Sequence, residues 1–226
     1  MSNFVLGELK IEWLGHDCFK IKNKIIIYID PFQIKNKEME KANLILITHE
    51  HFDHCSLEDI QLIADKKTII VAAEICKKGE LQYMEGKVKR IFYLKPNSSI
   101  SIDDIKIEAI PAYNTNKFRS PGVPFHPKGE SRVGYVLNIE GKRIYHAGDT
   151  DNISEMRDLK NIDLALIPVS GTYVMTAEEA ADAVQNFKPK FAIPMHWGSI
   201  VGSRKDAERF KELTKNFCHV EILEIE

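Results

Sequence analysis

The sequence predicts an α/β protein built from two β-sheets with helices packed outside them. Short β-branched runs recur along the chain, each too short for a buried helix. The early runs are separated by hairpin-sized turns, whereas the later ones alternate with amphipathic helix signals.

Taken in order, residues 10–14, 18–21 and 25–29 read as strands, divided by Gly15-His16-Asp17 and Lys22-Asn23-Lys24. Asp30-Pro31 stops the third, because proline restricts its predecessor and cannot donate to a ladder. Leu44–Ile47 is continuously apolar, as a strand buried on both faces should be. Ser56 with Glu58 and Asp59 caps a helix carrying Leu57, Ile60 and Ala64 on one face. Thr176 and Glu179 form a capping box opening a helix through Phe187. Ala207, Phe210, Leu213 and Phe217 give the last helix its apolar stripe. Further strands are expected at residues 69–72, 90–93, 105–110, 134–139, 143–146, 164–168, 191–194 and 220–223. One long stretch, 113–132, is rich in Pro and Gly and reads as an irregular, functional loop. With no low-complexity linker and no repeat at a solenoid period, a single domain over residues 1–226 is expected.

Composition narrows the function classes. The 226 residues carry 31 Lys+Arg against 33 Asp+Glu, a formal charge of −2. That balance gives no general attraction to nucleic acid or to an anionic membrane. Runs such as 25–29 fall far short of the ~20 apolar residues that span a bilayer. Glu8, Lys10 and Glu12 interrupt any apolar segment of signal-peptide type. Cys18, Cys55, Cys76 and Cys218 are scattered without a C-x-x-C pair, so buried reduced thiols in a cytoplasmic protein are expected.

The chemistry concentrates in Thr48-His49-Glu50-His51-Phe52-Asp53-His54, between the buried strand and the Ser56 cap. Three imidazoles and a carboxylate at a strand-to-helix turn are ligand types for zinc, iron or manganese, and the absence of cysteine disfavours a closed structural zinc site. Tyr145-His146-Ala147-Gly148-Asp149-Thr150 and Pro194-Met195-His196-Trp197-Gly198 end later strands with further candidate donors. Alone, Asp149 would read as a turn residue; beside the histidine cluster it reads as a ligand.

These motifs resemble the metallo-β-lactamase superfamily. Within it, they are similar to the branch of L-ascorbate-6-phosphate lactonase and N-acyl-phosphatidylethanolamine phospholipase D. Trp13-Leu14-Gly15-His16 with Cys18-Phe19, Asp30-Pro31-Phe32, the 163–168 run and the Glu178-Glu179-Ala180 helix extend the resemblance along nearly the whole chain. It implies a four-layer αββα sandwich with metal-binding loops along one edge. It also implies two divalent ions, zinc first with manganese or iron as alternatives. His49 and His51 would hold one ion, Asp53, His54 and His196 the other, and Asp149 would bridge them. The resemblance expects another histidine after the 105–110 strand, where Asn114 stands. His126, flanked by Pro124 and Pro127, is the candidate to complete that site, with a solvent-exposed loop histidine as the alternative and Asn114 as a first-site or substrate contact. His16 reads as a supporting residue, and His146 and His219 as structural ones.

A dinuclear hydrolase follows from that resemblance, with metal-held hydroxide attacking and Asp53 orienting it. Lys117, Arg119, Lys128 and Arg132 against Glu130 in the 113–132 loop would favour a small anionic ester, lactone or phosphodiester if that loop borders the metals; a solvated surface loop is the alternative. A nucleic-acid phosphodiesterase and a metal- or metabolite-binding protein without turnover are the alternatives. The charge balance and the lack of an appended basic domain count against nucleic acid. His51 stands where di-iron redox relatives would show glutamate. No transmembrane segment is expected, and a homo-oligomer is compatible with the sequence.

Overall fold

The computed structural model describes residues 3–34 and 39–225. The chain divides into two compact units, Met1–Lys95 with Leu223–Glu226, and Pro96–Ile222.

The first unit holds β1 (Asn3–Leu6), β2 (Leu9–Gly15), β3 (Cys18–Lys22), β4 (Ile26–Ile29), β5 (Leu44–Ile47), α1 (Leu57–Ile63), β6 (Ile69–Ala73) and β7 (Arg90–Leu94). Its sheet runs β1-β2-β3-β4-β5-β6-β7. The first four strands are antiparallel neighbours, and β4 through β7 pair in parallel. Every residue of β5 is buried, as its unbroken apolar run required. Ser56 caps α1 by accepting from Asp59 N–H, and the Asp59 carboxylate accepts from Gln33 and Ile34 N–H, tying the helix start to the chain after β4.

The second unit holds β8 (Ser99–Ile102), β9 (Ile105–Pro111), β10 (Phe118–Ser120), β11 (Val123–Pro124), β12 (Val133–Ile139), β13 (Lys142–His146), β14 (Leu164–Pro168), α2 (Ala177–Phe187), β15 (Phe191–Met195), α3 (Arg204–Thr214) and β16 (His219–Val220). Its main sheet is ordered β16-β15-β14-β13-β12-β9-β8. The chain passes antiparallel from β8 to β13 and then parallel to β16. The capping box at α2 forms as the sequence predicts, Thr176 Oγ1 accepting from Glu179 N–H and the Glu179 carboxylate from Thr176 N–H.

Several elements differ from the sequence expectation. β1 and β8 are additional edge strands; β8 reads Ser-Ile-Ser-Ile, too short and polar to stand out without its partner β9. The 113–132 stretch is not wholly irregular, since β10 and β11 form a small ribbon within it. Phe217 lies past the end of α3, on a turn closed by Phe217 N–H to Thr214 O at 2.9 Å. Of the strand expected at 220–223, only Val220 lies within β16, and Glu221 adds one backbone bond, its N–H to Ala192 O at 3.0 Å.

Strand direction explains where the chemistry collects. Parallel strands end on the same edge of a sheet, and ligands of open α/β sheets gather beyond their carboxyl ends. In the first unit β4 and β5 deliver Asp30 and residues 48–54 to that edge, and the β2–β3 turn brings His16 and Asp17 there. In the second unit β13 and β15 deliver Asp149 and His196, while the β9–β12 connection brings Asn114 and His126.

Candidate metal centre

In the first unit, the fully buried Asp30 organises the histidine turn. Its Oδ1 accepts Thr48 N–H at 2.8 Å; its Oδ2 accepts the Thr48 hydroxyl at 2.5 Å and His54 Nδ1–H at 2.9 Å. Thr48 thereby spends its single O–H on Asp30, so Thr48 Oγ1 accepts from His49 Nδ1–H, 3.0 Å away. With Nδ1 as the donor, the neutral form of each imidazole carries its lone pair on Nε2, the form in which histidine binds a metal. One carboxylate therefore sets the tautomer of both His49 and His54.

His49 Nε2 faces His51 Nδ1 at 3.0 Å. Asp53, at the rim of the turn, is held by His16, whose Nε2–H reaches Asp53 Oδ2 at 3.0 Å. His16 is itself buried, with Trp13 Nε1–H donating to its carbonyl at 2.8 Å. It supports Asp53, as the sequence predicts. Asp17, Asp30 and His54 also offer atoms within 4.8 Å of one another. There Asp30 Oδ2 and His54 Nδ1 are spent on each other, which makes that cluster the back of the histidine turn.

In the second unit, Asp149 lies between two imidazoles. Its Oδ1 is 3.3 Å from His196 Nε2, and its Oδ2 is 3.4 Å from His126 Nε2. Ser170 donates its hydroxyl to Thr172 O and so accepts from His196 Nδ1–H at 3.0 Å, placing the His196 lone pair on Nε2. Asn114 Oδ1 takes His126 Nδ1–H at 2.9 Å, with the same result for His126. His146 is buried in the opposite sense: its Nδ1 accepts Gly148 N–H at 3.2 Å, shaping the turn that carries Asp149. His219 is exposed and stacks edge-on against Phe191.

The donors fit a divalent ion. Two atoms each ~2.1 Å from one ion at a tetrahedral angle lie ~3.4 Å apart. A charge-assisted hydrogen bond would draw the same atoms to ~2.8 Å. The Asp149 spacings to His126 and His196 match the first distance, and lone pairs facing a carboxylate need a cation between them. Backbone strain also collects here: His16, Asp30 and His196 adopt φ of 49°, 44° and 60°, each costing on the order of 1 kcal/mol.

The thiols take no part as ligands in this geometry. All four cysteines are buried and free. Cys76 is held protonated by its hydrogen bond with Cys55 and by burial, and burial likewise pushes the Cys18 and Cys218 thiols up. Three of the four cations in the 113–132 loop are neutralised inside the second unit. Lys117 pairs with Glu179 at 2.6 Å, Lys128 with Glu155 at 3.0 Å and Arg132 with Glu130. Burial opposes ionisation of Glu179, but Lys117, Thr176 N–H and Asn116 outweigh it and hold its pKa below the usual range. Arg119, on the ribbon, is exposed.

Sequence reasoning passed over Asp30, Thr48 and Ser170 as supports. Asp30 is legible in the sequence as a strand stop and as part of the resemblance, but not as a support, because its partners lie 18 and 24 positions away.

Residues 10–196 match the family described as Beta-lactamase superfamily domain. A UPF0173 metal-dependent hydrolase of Thermoplasma acidophilum is 35% identical, with 98% of each chain covered. A solved protein of Parabacteroides distasonis, assigned to the metal-dependent hydrolases, is 34% identical with a TM-score of 0.82, covering 100% of this chain and 98% of its own. The metallo hydrolase Igni18 of Ignicoccus hospitalis is 25% identical with a TM-score of 0.75, over 96% of this chain and 95% of its own.

Proposed function

Because the chain belongs to the UPF0173 metal-dependent hydrolases of the metallo-β-lactamase superfamily, whose α/β fold it shares, we propose that it is a dinuclear hydrolase of small anionic esters, lactones or phosphodiesters. By the resemblance, His49 and His51 would hold the first ion and Asp53, His54 and His196 the second, with Asp149 shared. Zinc is the favoured metal for this imidazole and carboxylate set, with manganese or iron as alternatives.

The observation that carries the reading is that Thr48, Asp30 and Ser170 each set an oxygen against Nδ1 of His49, His54 and His196, the support that metal-binding imidazoles use. When bound, divalent ions there supply an acidified water and a Lewis acid for the oxyanion that develops. The chain's own work is orientation and proton handling. His16 Nε2–H fixes Asp53 through Oδ2, so the carboxylate can take the attacking water's proton and return it to the leaving group. Asp30 and Ser170 hold the imidazoles in place without touching substrate. Arg119 is the exposed loop cation that would meet a substrate anion.

Elemental analysis of the purified protein, followed by assay on bis(p-nitrophenyl) phosphate and a lactone panel, tests this. Two bound equivalents, loss of hydrolysis on chelation, and an Asp53→Ala variant that melts normally but turns over at least ~100-fold more slowly are the expected results. Metal-free protein hydrolysing at the same rate would overturn the proposal.

A further inference from the structure

The ligand set above leaves the first ion short of an imidazole, and the second unit shows what replaces it. Asn114 stands where the sequence resemblance expects a histidine, but its amide has no capacity left for a metal. Asn114 Oδ1 takes both His126 N–H at 2.8 Å and His126 Nδ1–H at 2.9 Å. Asn114 Nδ2 gives its two protons to Tyr173 O at 2.7 Å and Asp151 Oδ1 at 3.2 Å. Both nitrogen partners are acceptors, which fixes which end of the amide is oxygen.

The same contacts aim His126. A backbone bond, Asn114 N–H to His126 O at 2.8 Å, pairs the two residues as the stem from which the β10–β11 ribbon grows. Asp151 clamps the strand side of that stem, accepting Thr115 N–H at 2.6 Å and Asn116 N–H at 2.9 Å. His126 is 1% exposed, so the alternative of a solvated loop histidine is gone. Its Nε2 lies 3.4 Å from Asp149 Oδ2, on the oxygen that His196 does not face. Asp149 thus presents one oxygen to each imidazole, as a carboxylate shared by two ions would.

We infer that His126 is the missing imidazole of the first metal site and that Asn114 is its positioning residue. The inference rests on the dinuclear reading above and adds the residue that completes it. The imidazole stands twelve residues beyond the position the resemblance expects, and Asn114 at that position supplies the acceptor behind it.

Metal counting and chelator competition on zinc- and cobalt-loaded protein test it, with no substrate required. Wild-type protein should hold two equivalents and His126→Ala one. His126→Gln, close in size, repeats the measurement should the alanine variant fold poorly. Asn114→Ala should keep two equivalents but bind one of them about 10–100-fold more weakly, leaving the other unchanged. His196→Ala, the control, should lose or weaken the other equivalent. Two equivalents of unchanged affinity in both His126 variants would overturn the inference while leaving the dinuclear reading standing. An Asn114→Ala variant weakened equally at both sites would reduce Asn114 to a structural role and overturn its part. Wild-type protein that binds no metal, or a His196→Ala control that changes nothing, would overturn the underlying reading.

Discussion

The two units thread their sheets identically yet supply donors in opposite ways. Each main sheet has seven strands in chain order among the described residues, the first four antiparallel and the last four in parallel register. The first unit gathers its candidate ligands on one turn, residues 48–54, and backs two of its imidazoles with a single carboxylate, Asp30. The second spreads three over three connections, where Asn114 and Ser170 back one imidazole each and the His146 turn carries Asp149. A concentrated arrangement fails as a whole; a distributed one fails piece by piece.

Asp30→Asn is the sharpest way to break that contrast. An amide that keeps its oxygen on Thr48 N–H turns its NH2 toward Thr48 Oγ1 and His54 Nδ1. Both imidazoles are then driven to carry their proton on Nε2, where a metal would bind. Chelator competition should show both ions weakened by about 10–100-fold from one substitution, whereas Ser170→Ala should weaken one. Equal, single-site losses from the two variants would show that Asp30 does not control both histidines.

A smaller effect is expected where the second unit packs backbone on backbone. At Gly134, the second residue of β12, an added Cβ would meet Ala147 O at 2.5 Å and His146 O at 2.6 Å. Gly134→Ala should therefore cost about 1–3 kcal/mol in thermal unfolding and displace the turn that presents Asp149. An unchanged melting temperature would mean that the turn yields freely.

The least effect concerns acid. Burial opposes ionisation of Glu155, but hydrogen bonds from Tyr113, Lys128, its own backbone and Ser154 outweigh it and hold its pKa at about 2. A depressed carboxylate stabilises the fold above its unfolded pKa of 4.5 and loses that contribution as pH falls toward 2. Metal-free protein should accordingly loosen around Tyr113 and Lys128 across that interval, seen as faster amide exchange there. Glu155→Gln should flatten the response; an identical profile in both proteins would remove Glu155 as its cause.

The same contrast explains what was legible beforehand. The 48–54 turn reads directly because its donors are contiguous and follow an apolar strand. Asp149 and His196 are legible only beside that cluster, since one strand-end residue has ordinary uses in turns. Asp30 looked like punctuation before Pro31, and Asn114 like a lost ligand, because the meaning of each lies in partners 12 to 59 positions distant. β8 went unseen because a four-residue edge strand is defined by its neighbour. The cationic loop was read correctly as composition but not as available charge, since Lys117, Lys128 and Arg132 find acids within their own unit.

The stem between Asn114 and His126 gives this lineage an unusual freedom. His49 and His51 are tied to each other by a spacing of two residues, so an insertion between them would destroy the geometry. The interval from Asn114 to His126 is closed at its base by paired backbone and a shared amide oxygen, and its tip at Pro121 and Gly122 is exposed. Doubling such a loop costs only about 0.6 kcal/mol in closure entropy. The ribbon, Phe118 and Arg119 included, can therefore be lengthened, shortened or redecorated at little entropic cost without moving His126.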